Sequence, residues 1–381
     1  MKIALLTDGI SPYVIGGMQK HSFYLAKYLS KNKIYVDLYH MNQSNLNIHD
    51  LAVFTEEEKK FITSIVLPFP KLDQFPGHYV RESYRYSELI FNEIKKKLNT
   101  YDFIYTKGFS GWKLIEEKQK GLACPSIGVK FHGYEMFQDA PDFKTKLQHL
   151  LLRRSVKWIN QHADFVFSYG GKITEIIKSL NVSVDRIIEI PTGIEPSWMT
   201  NNPVITNPVK RFVFIGRQER RKGIEELTTV LSKILNTHNF VFEFIGPIDA
   251  KKRIVASNIV YHGELRDIQQ IKNILQHADV LVCPSHSEGM PNVIMEGMAS
   301  GLAVLATDVG AVREELKAGN GILIRPSSIE ALEKAIVTFI DMSQEDLTKM
   351  KRSSIDSIKL NFLWDDIILE TIDRIKTAIK S

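Results

Sequence analysis

Short apolar runs separated by amphipathic stretches recur along the chain in a regular order. Lys2–Thr7 predicts a parallel strand buried on both faces, because such strands read as continuous apolar runs. Lys20–Lys31 then predicts a helix, with Phe23, Ala26 and Leu29 on one apolar stripe. Further strands are predicted at Ile34–Tyr39, Ile62–Leu67, Phe103–Thr106, Ser126–Phe131, Phe165–Tyr169 and Ile187–Ile190. Helices are predicted between them at Tyr84–Leu98, Phe143–Gln161 and Lys172–Leu180.

The segment Glu195–Pro208, EPSWMTNNPVITNP, breaks this alternation with Pro, Asn and Thr and reads as a linker over residues 195–209. The pattern then restarts. Strands are predicted at Phe212–Ile215, Val241–Ile245, Ile259–Tyr261, Val280–Cys283, Ala303–Ala306 and Gly321–Ile324. Helices are predicted near Ile224–Leu235, Ile268–Gln276, Val293–Met298, Ala311–Ala318 and Ile329–Ile340, and two more at Gln344–Leu360 and Leu363–Lys380. Two such α/β halves imply two Rossmann-like, doubly wound domains facing each other across a cleft, at residues 1–194 and 210–360. Clefts of that kind are favoured ligand sites.

Bulk properties narrow the class without changing this picture. A length of 381 residues favours two domains, and 44% hydrophobic with 24% charged residues is ordinary for a soluble enzyme. No apolar run approaches the roughly 20 residues that span a bilayer. The opening MKIALLTDGISPY suits a buried strand better than a secretory signal. Cys124 and Cys283 form no CxxC pattern and read as small buried thiols of a reduced, cytoplasmic protein. Residues 1–196 hold 26 Lys and Arg against 21 Asp and Glu, whereas residues 197–381 balance at 23 and 23. That mild bias suits an anionic surface or a phosphate-bearing acceptor; it does not suit nucleic acid, for which no aromatic–basic motif is present.

Four clusters fall where such a fold places a site, at the carboxyl ends of strands. Gly16-Gly17 precedes the first helix and lets backbone approach a ligand closely, but it is not the dinucleotide fingerprint GxGxxG. His132, directly after a strand, can reach a sugar hydroxyl. Arg217 and Lys222, in FIGRQERRKGIEEL, offer a fork and a point charge suited to a diphosphate. Glu288 and Glu296 flank a strand–turn–helix start, placed so that both carboxylates can face one ligand carrying hydroxyls beside a phosphate.

FIGRQERRKG, the His132-Gly133 pair, PTGIE (Pro191–Glu195), YHGEL (Tyr261–Leu265) and SEGMPNVIMEGMASGLAVLATDVGAVREEL together resemble retaining glycosyltransferases of family 4, which have the GT-B fold. The likeness is strong in the second half and loose from Asn42 to Asp102. It implies a nucleotide-sugar donor held by the second domain and an acceptor held by the first. Arg217 and Lys222 would neutralise the departing diphosphate. Glu288 would contact the donor sugar, with Gly289, Met290, Asn292 and Val293 lining it, and Glu296 would hold the ribose. His132 would lie near the reacting carbon, Gly16 and Gly17 beside the diphosphate, and Gly263 and Leu265 near the base. The final helix, residues 361–381, would cross back onto the first domain. Pro291 departs from the family's usual small residue and supplies no N–H there.

The resemblance implies no metal, and the sequence has no cluster with metal-ligand spacing. No other cofactor is expected. It also implies a glycan or lipid-linked acceptor in cell-surface polysaccharide synthesis, with a UDP-sugar favoured over a GDP-sugar. Phe143–Gln161, with Lys144, Lys146, Arg153, Arg154, Lys157, Trp158 and a Leu-rich face, either lies on an anionic membrane or packs that face on the sheet. Two other readings stay open here: a nucleotide-sugar epimerase on the same fold, and a catalytically silent glycan-binding protein.

Overall fold

The computed structural model describes residues 1–14, 16–41, 53–72, 75–200 and 207–380. They form two compact units, one of residues 1–137, 146–192 and 364 onward, the other of residues 138–145 and 193–363. The first unit contains β1 (Lys2–Leu6), α1 (Gly17–Lys31), β2 (Tyr35–Met41), α2 (Glu56–Lys59), β3 (Ile62–Leu67), α3 (His78–Ile94), β4 (Phe103–Lys107), α4 (Trp112–Gln119), β5 (Ser126–Lys130), most of α5 (Phe143–His162), β6 (Phe165–Ser168), α6 (Gly171–Ser179) and β7 (Ile187–Glu189). Its seven strands lie in the order β3-β2-β1-β4-β5-β6-β7, and every pairing is parallel. The winding reverses between β1 and β4, which opens a crevice at their carboxyl ends.

The second unit contains β8 (Lys210–Ile215), α7 (Ile224–Ile234), β9 (Phe240–Ile245), β10 (Ile259–Gly263), α8 (Ile268–His277), β11 (Val280–Cys283), α9 (Asn292–Ala299), β12 (Ala303–Thr307), α10 (Val312–Glu315), β13 (Gly321–Ile324), α11 (Ile329–Asp341) and α12 (Gln344–Asn361). Its six parallel strands run β10-β9-β8-β11-β12-β13, with the reversal between β8 and β11. Phe212, Phe214, Phe242 and Phe244 fill its core against Leu227, Val230 and Leu231 of α7.

A last helix, α13 (Trp364–Lys380), belongs to the first unit. Trp364, Ile367, Ile368, Ile372 and Ile375 join the core built by Leu25, Leu29, Val36 and Leu38, and the Trp364 ring stacks on Tyr28 at 5.6 Å.

Several boundaries differ from the sequence reading, each for a physical reason. Helix α1 begins at Gly17, three residues before the expected Lys20, because Lys20 N already donates to the Gly16 carbonyl. Helix α4 was not expected; its charged EEKQ stretch conceals the two buried residues Leu114 and Ile115. Helix α10 is one turn long, ending at Glu315 before Gly319 takes a positive φ. Residues 138–145 leave the first unit, with the Gln138 amide donating to the Glu288 carbonyl at 2.7 Å. The expected linker 195–209 is partly docked: Trp198 is buried and Thr200 N donates to the Ala299 carbonyl. Its residues 201–206 lie outside the described ones. The second unit runs to Leu363, past the expected 360, because Ile194 N donates to the Phe362 carbonyl.

Candidate active site

In the first unit, residues at the carboxyl ends of β1, β4, β5 and β6 converge on the start of α1. Gly17 lies directly against His132. A Cβ at Gly17 would overlap His132 Nε2, so the close approach requires glycine. The other ring nitrogen, Nδ1, is 2.9 Å from the Tyr169 hydroxyl, which fixes the imidazole plane. Gly16, also singled out by sequence, precedes α1 in extended backbone. Thus Gly16, Gly17 and His132 come together.

Beside them lies a buried layer of ionisable groups that sequence reasoning missed. Lys107 and Lys130 end two largely buried strands and are partners in the β4–β5 register. Lys107 Nζ is 3.1 Å from His21 Nδ1; Lys130 Nζ donates to the Ile190 carbonyl and sits 3.8 Å above the Tyr169 ring. Burial pushes Lys107 down to about 7 against the opposing pull of Asp8, and burial together with Lys107 holds Lys130 well below the ordinary lysine range. Burial likewise raises Asp8 to about 6, although Gln19 donates to it at 2.9 Å. The available signal was a lysine closing each of FIYTK and SIGVK.

In the second unit the loops after β8 and β11 meet at the topological reversal. The first carries a short 3₁₀ turn, Arg220–Lys222, and Gly223, whose φ of 69° starts α7. A Cβ on Gly223 would collide with the Pro284 carbonyl oxygen, so glycine is needed for the two loops to touch. Across that contact Lys222 Nζ donates to Glu288 Oε1 at 2.6 Å, and Ser285 Oγ donates to the same oxygen at 2.8 Å. Arg221 Nη1 lies 3.5 Å from Glu288 Oε2. Burial alone would raise the Glu288 pKa. The Lys222 and Arg221 charges, with the Lys222 and Ser285 hydrogen bonds, outweigh it and hold the group below the usual carboxylate range.

The remaining candidates are placed less uniformly. Arg217 is not joined to Lys222; its exposed guanidinium pairs with Glu219 at 2.9 Å, and Arg221 pairs with the same Glu219 at 2.8 Å. Arg220 is structural, bound between Glu226 and the buried His286, which in turn meets Ser327. Gly289 accepts from Ala311 N at 2.7 Å, Met290 is fully buried, and Asn292 and Val293 form the first turn of α9. Glu296 is buried one turn later on that helix. Gly263 ends edge strand β10 with φ 72° and open space around it, and Leu265 follows in the loop. Among the described residues no group of three or more His, Cys, Asp or Glu side chains is arranged to hold a metal ion.

Residues 209–342 match the family described as Glycosyl transferases group 1. A Bacillus subtilis (strain 168) protein named TuaC, for a glycosyltransferase of teichuronic acid biosynthesis, is 30% identical over 187 residues, covering 46% of this chain and 47% of that protein. The chain is a relative of the group 1 glycosyltransferases. The aligned stretch spans about half the length of the Bacillus protein, whereas the fold likeness extends over the whole chain. Sucrose-phosphate synthase from Thermosynechococcus elongatus superposes with a TM-score of 0.77 at 19% identity, covering 100% of this chain and 99% of that one. The Anabaena protein HepE, solved in complex with UDP, gives 0.67 at 17% identity and 99% and 100% coverage. The two Rossmann-like units are those of the GT-B fold.

Proposed function

We propose that this glycosyltransferase relative is a retaining, metal-independent enzyme. It moves a hexose-type sugar from a nucleoside-diphosphate sugar, a UDP-sugar before a GDP-sugar, to a glycan or lipid-linked acceptor. It acts in the cytoplasm, in cell-surface polysaccharide synthesis. The observation that carries the reading is the buried Glu288 held by Lys222 and Arg221 where the strand order reverses. Two cations concentrated beside one carboxylate provide for both ends of a sugar diphosphate. The donor's phosphates take Lys222 and Arg221, with Arg217 reaching from the exposed rim, and the released Glu288 carboxylate accepts a hydrogen bond from a sugar hydroxyl. The complex of the Anabaena relative with UDP supports the uridine preference.

In the reaction the bond from the anomeric carbon to the diphosphate oxygen breaks, and a bond from the acceptor oxygen to that carbon forms on the same face. The acceptor's proton passes to the leaving phosphate oxygen. Lys222 and Arg221 stabilise the negative charge that gathers there, the electrostatic contribution that dominates in water-poor sites. His132, oriented by Tyr169, contacts the sugar near the reacting carbon. Glu296 holds the ribose, Gly289 to Val293 line the donor, and Gly263 and Leu265 lie toward the base. The test is a donor screen with EDTA present, followed by NMR of the product's anomeric proton. Release of nucleoside diphosphate with a retained anomeric configuration is expected; an inverted product, or turnover abolished by EDTA, would overturn the mechanism.

A further inference from the structure

Helix α5 turns its leucine-rich side outward. Val156, Ile159 and Asn160 are buried beneath it, on the face that meets the first unit. On the opposite face Leu147, Leu150 and Leu151 stand in solvent at 57, 51 and 48% exposure, an unusual state for three neighbouring leucines. The helical repeat puts Arg154 and Trp158 on this same ridge, with Lys146 and Lys157 along its flank. Arg153 does not belong to it, since its guanidinium donates inward to the Met136 carbonyl. Of the two packings the sequence allowed for this segment, the structure therefore leaves the leucines uncovered.

The charge around the ridge has one sign. No Asp or Glu occurs from Phe143 to His162. The preceding Asp142 is committed to the helix start, accepting from Thr145 N at 2.8 Å. We propose that this face of α5 docks on an anionic phospholipid bilayer, with the leucines entering the acyl boundary and the cations meeting headgroup phosphates. Lys and Arg can keep their charges at headgroup level while their aliphatic stems cover apolar surface. A second copy of the chain suits the face poorly, because it would bring like charges together around the leucines. Among the described residues no helix is long and apolar enough to cross a membrane, so the contact is interfacial.

The test is co-sedimentation of the full chain with phosphatidylcholine vesicles, with and without phosphatidylglycerol. Binding at least about tenfold tighter to the anionic vesicles, and weakened by salt, is expected. The triple variant Lys146→Gln/Arg154→Gln/Lys157→Gln should bind them on the order of a hundredfold more weakly, about fivefold for each cation near the surface. The variant Leu147→Ser/Leu150→Ser/Leu151→Ser removes only exposed side chains, so it should keep the fold and still lose more than about tenfold. Indifference to phosphatidylglycerol, or wild-type binding by both variants, would overturn the proposal. So would a dimer in light scattering that the serine variant dissolves, which would give the face to a second copy. Vesicle binding needs neither donor nor turnover, so its failure is distinct from failure of the transferase reading.

Discussion

Lys222 and Glu288, 66 residues apart in sequence, meet at 2.6 Å and form a nearly buried ion pair. Removing one partner of such a pair strands the other charge, at a cost of roughly 3–5 kcal/mol, whereas removing both costs less. Lys222→Met should therefore lower the urea midpoint more than Lys222→Met/Glu288→Gln does. Both should lose about 10²–10³ in kcat/KM, the usual loss for a group that stabilises charge in the transition state. A double-mutant cycle on stability and on turnover measures the two effects separately; equal urea midpoints for the single and double variants would contradict the pairing.

Tyr169→Phe removes the hydroxyl that meets His132 while keeping the ring over which Lys130 sits. The loss of one hydrogen bond is worth about 1 kcal/mol, so kcat should fall roughly fivefold. Steady-state kinetics should show donor KM unchanged, because the hydroxyl orients the imidazole and has no role in holding the diphosphate.

Gly17→Ala puts a methyl group against His132 Nε2. The ring must shift, and a displacement near 1 Å typically costs on the order of a hundredfold in rate. Far-UV circular dichroism and the melting temperature should barely change while turnover falls, since the strain lies in a side chain at the end of the sheet.

Glu315 is fully buried at the end of α10, and neither carboxyl oxygen has a hydrogen-bond partner among the described residues. Burial, with the nearby Glu288 charge, raises its pKa well above the ordinary 4.5. A carboxyl raised in the fold contributes stability that is whole below the unfolded value and declines as pH rises toward the folded one. Glu315→Met should accordingly stabilise the protein by about 1–3 kcal/mol near neutral pH. The difference from wild type should shrink as pH falls to 4.5. Melting curves across that range check the sign; a gap that widens toward acid would contradict it.

The strands were the most legible part of the sequence. β11 falls on its expected limits because a strand buried on both faces is a continuous apolar run bounded by polar turns, and the edge strands β3 and β13, only partly buried, keep their expected limits as well. Helix α5 shows where that signal fails. Its sequence holds two apolar stripes, Leu147–Leu150–Leu151 and Leu152–Val156–Ile159, and periodicity alone does not say which one meets the sheet. The candidate site was legible as positions and not as partners. Lys222 and Glu288 were each singled out, yet their contact depends on a long-range approach at Gly223 that no local pattern encodes. The paired Lys107 and Lys130 escaped for a similar reason, since their adjacency is a matter of strand register.

Helix α13 makes the first unit discontinuous in the chain: Trp364 and the isoleucines behind it complete a core begun by β1 and α1. During synthesis that core waits, because residues 364–380 leave the ribosome only after the whole second unit has emerged. The nascent first unit must then hold Tyr28 and Leu25 uncovered for that interval, a natural window for chaperone engagement. Residues 193–363, by contrast, form a continuous segment with its own core and can mature while the earlier unit is still open.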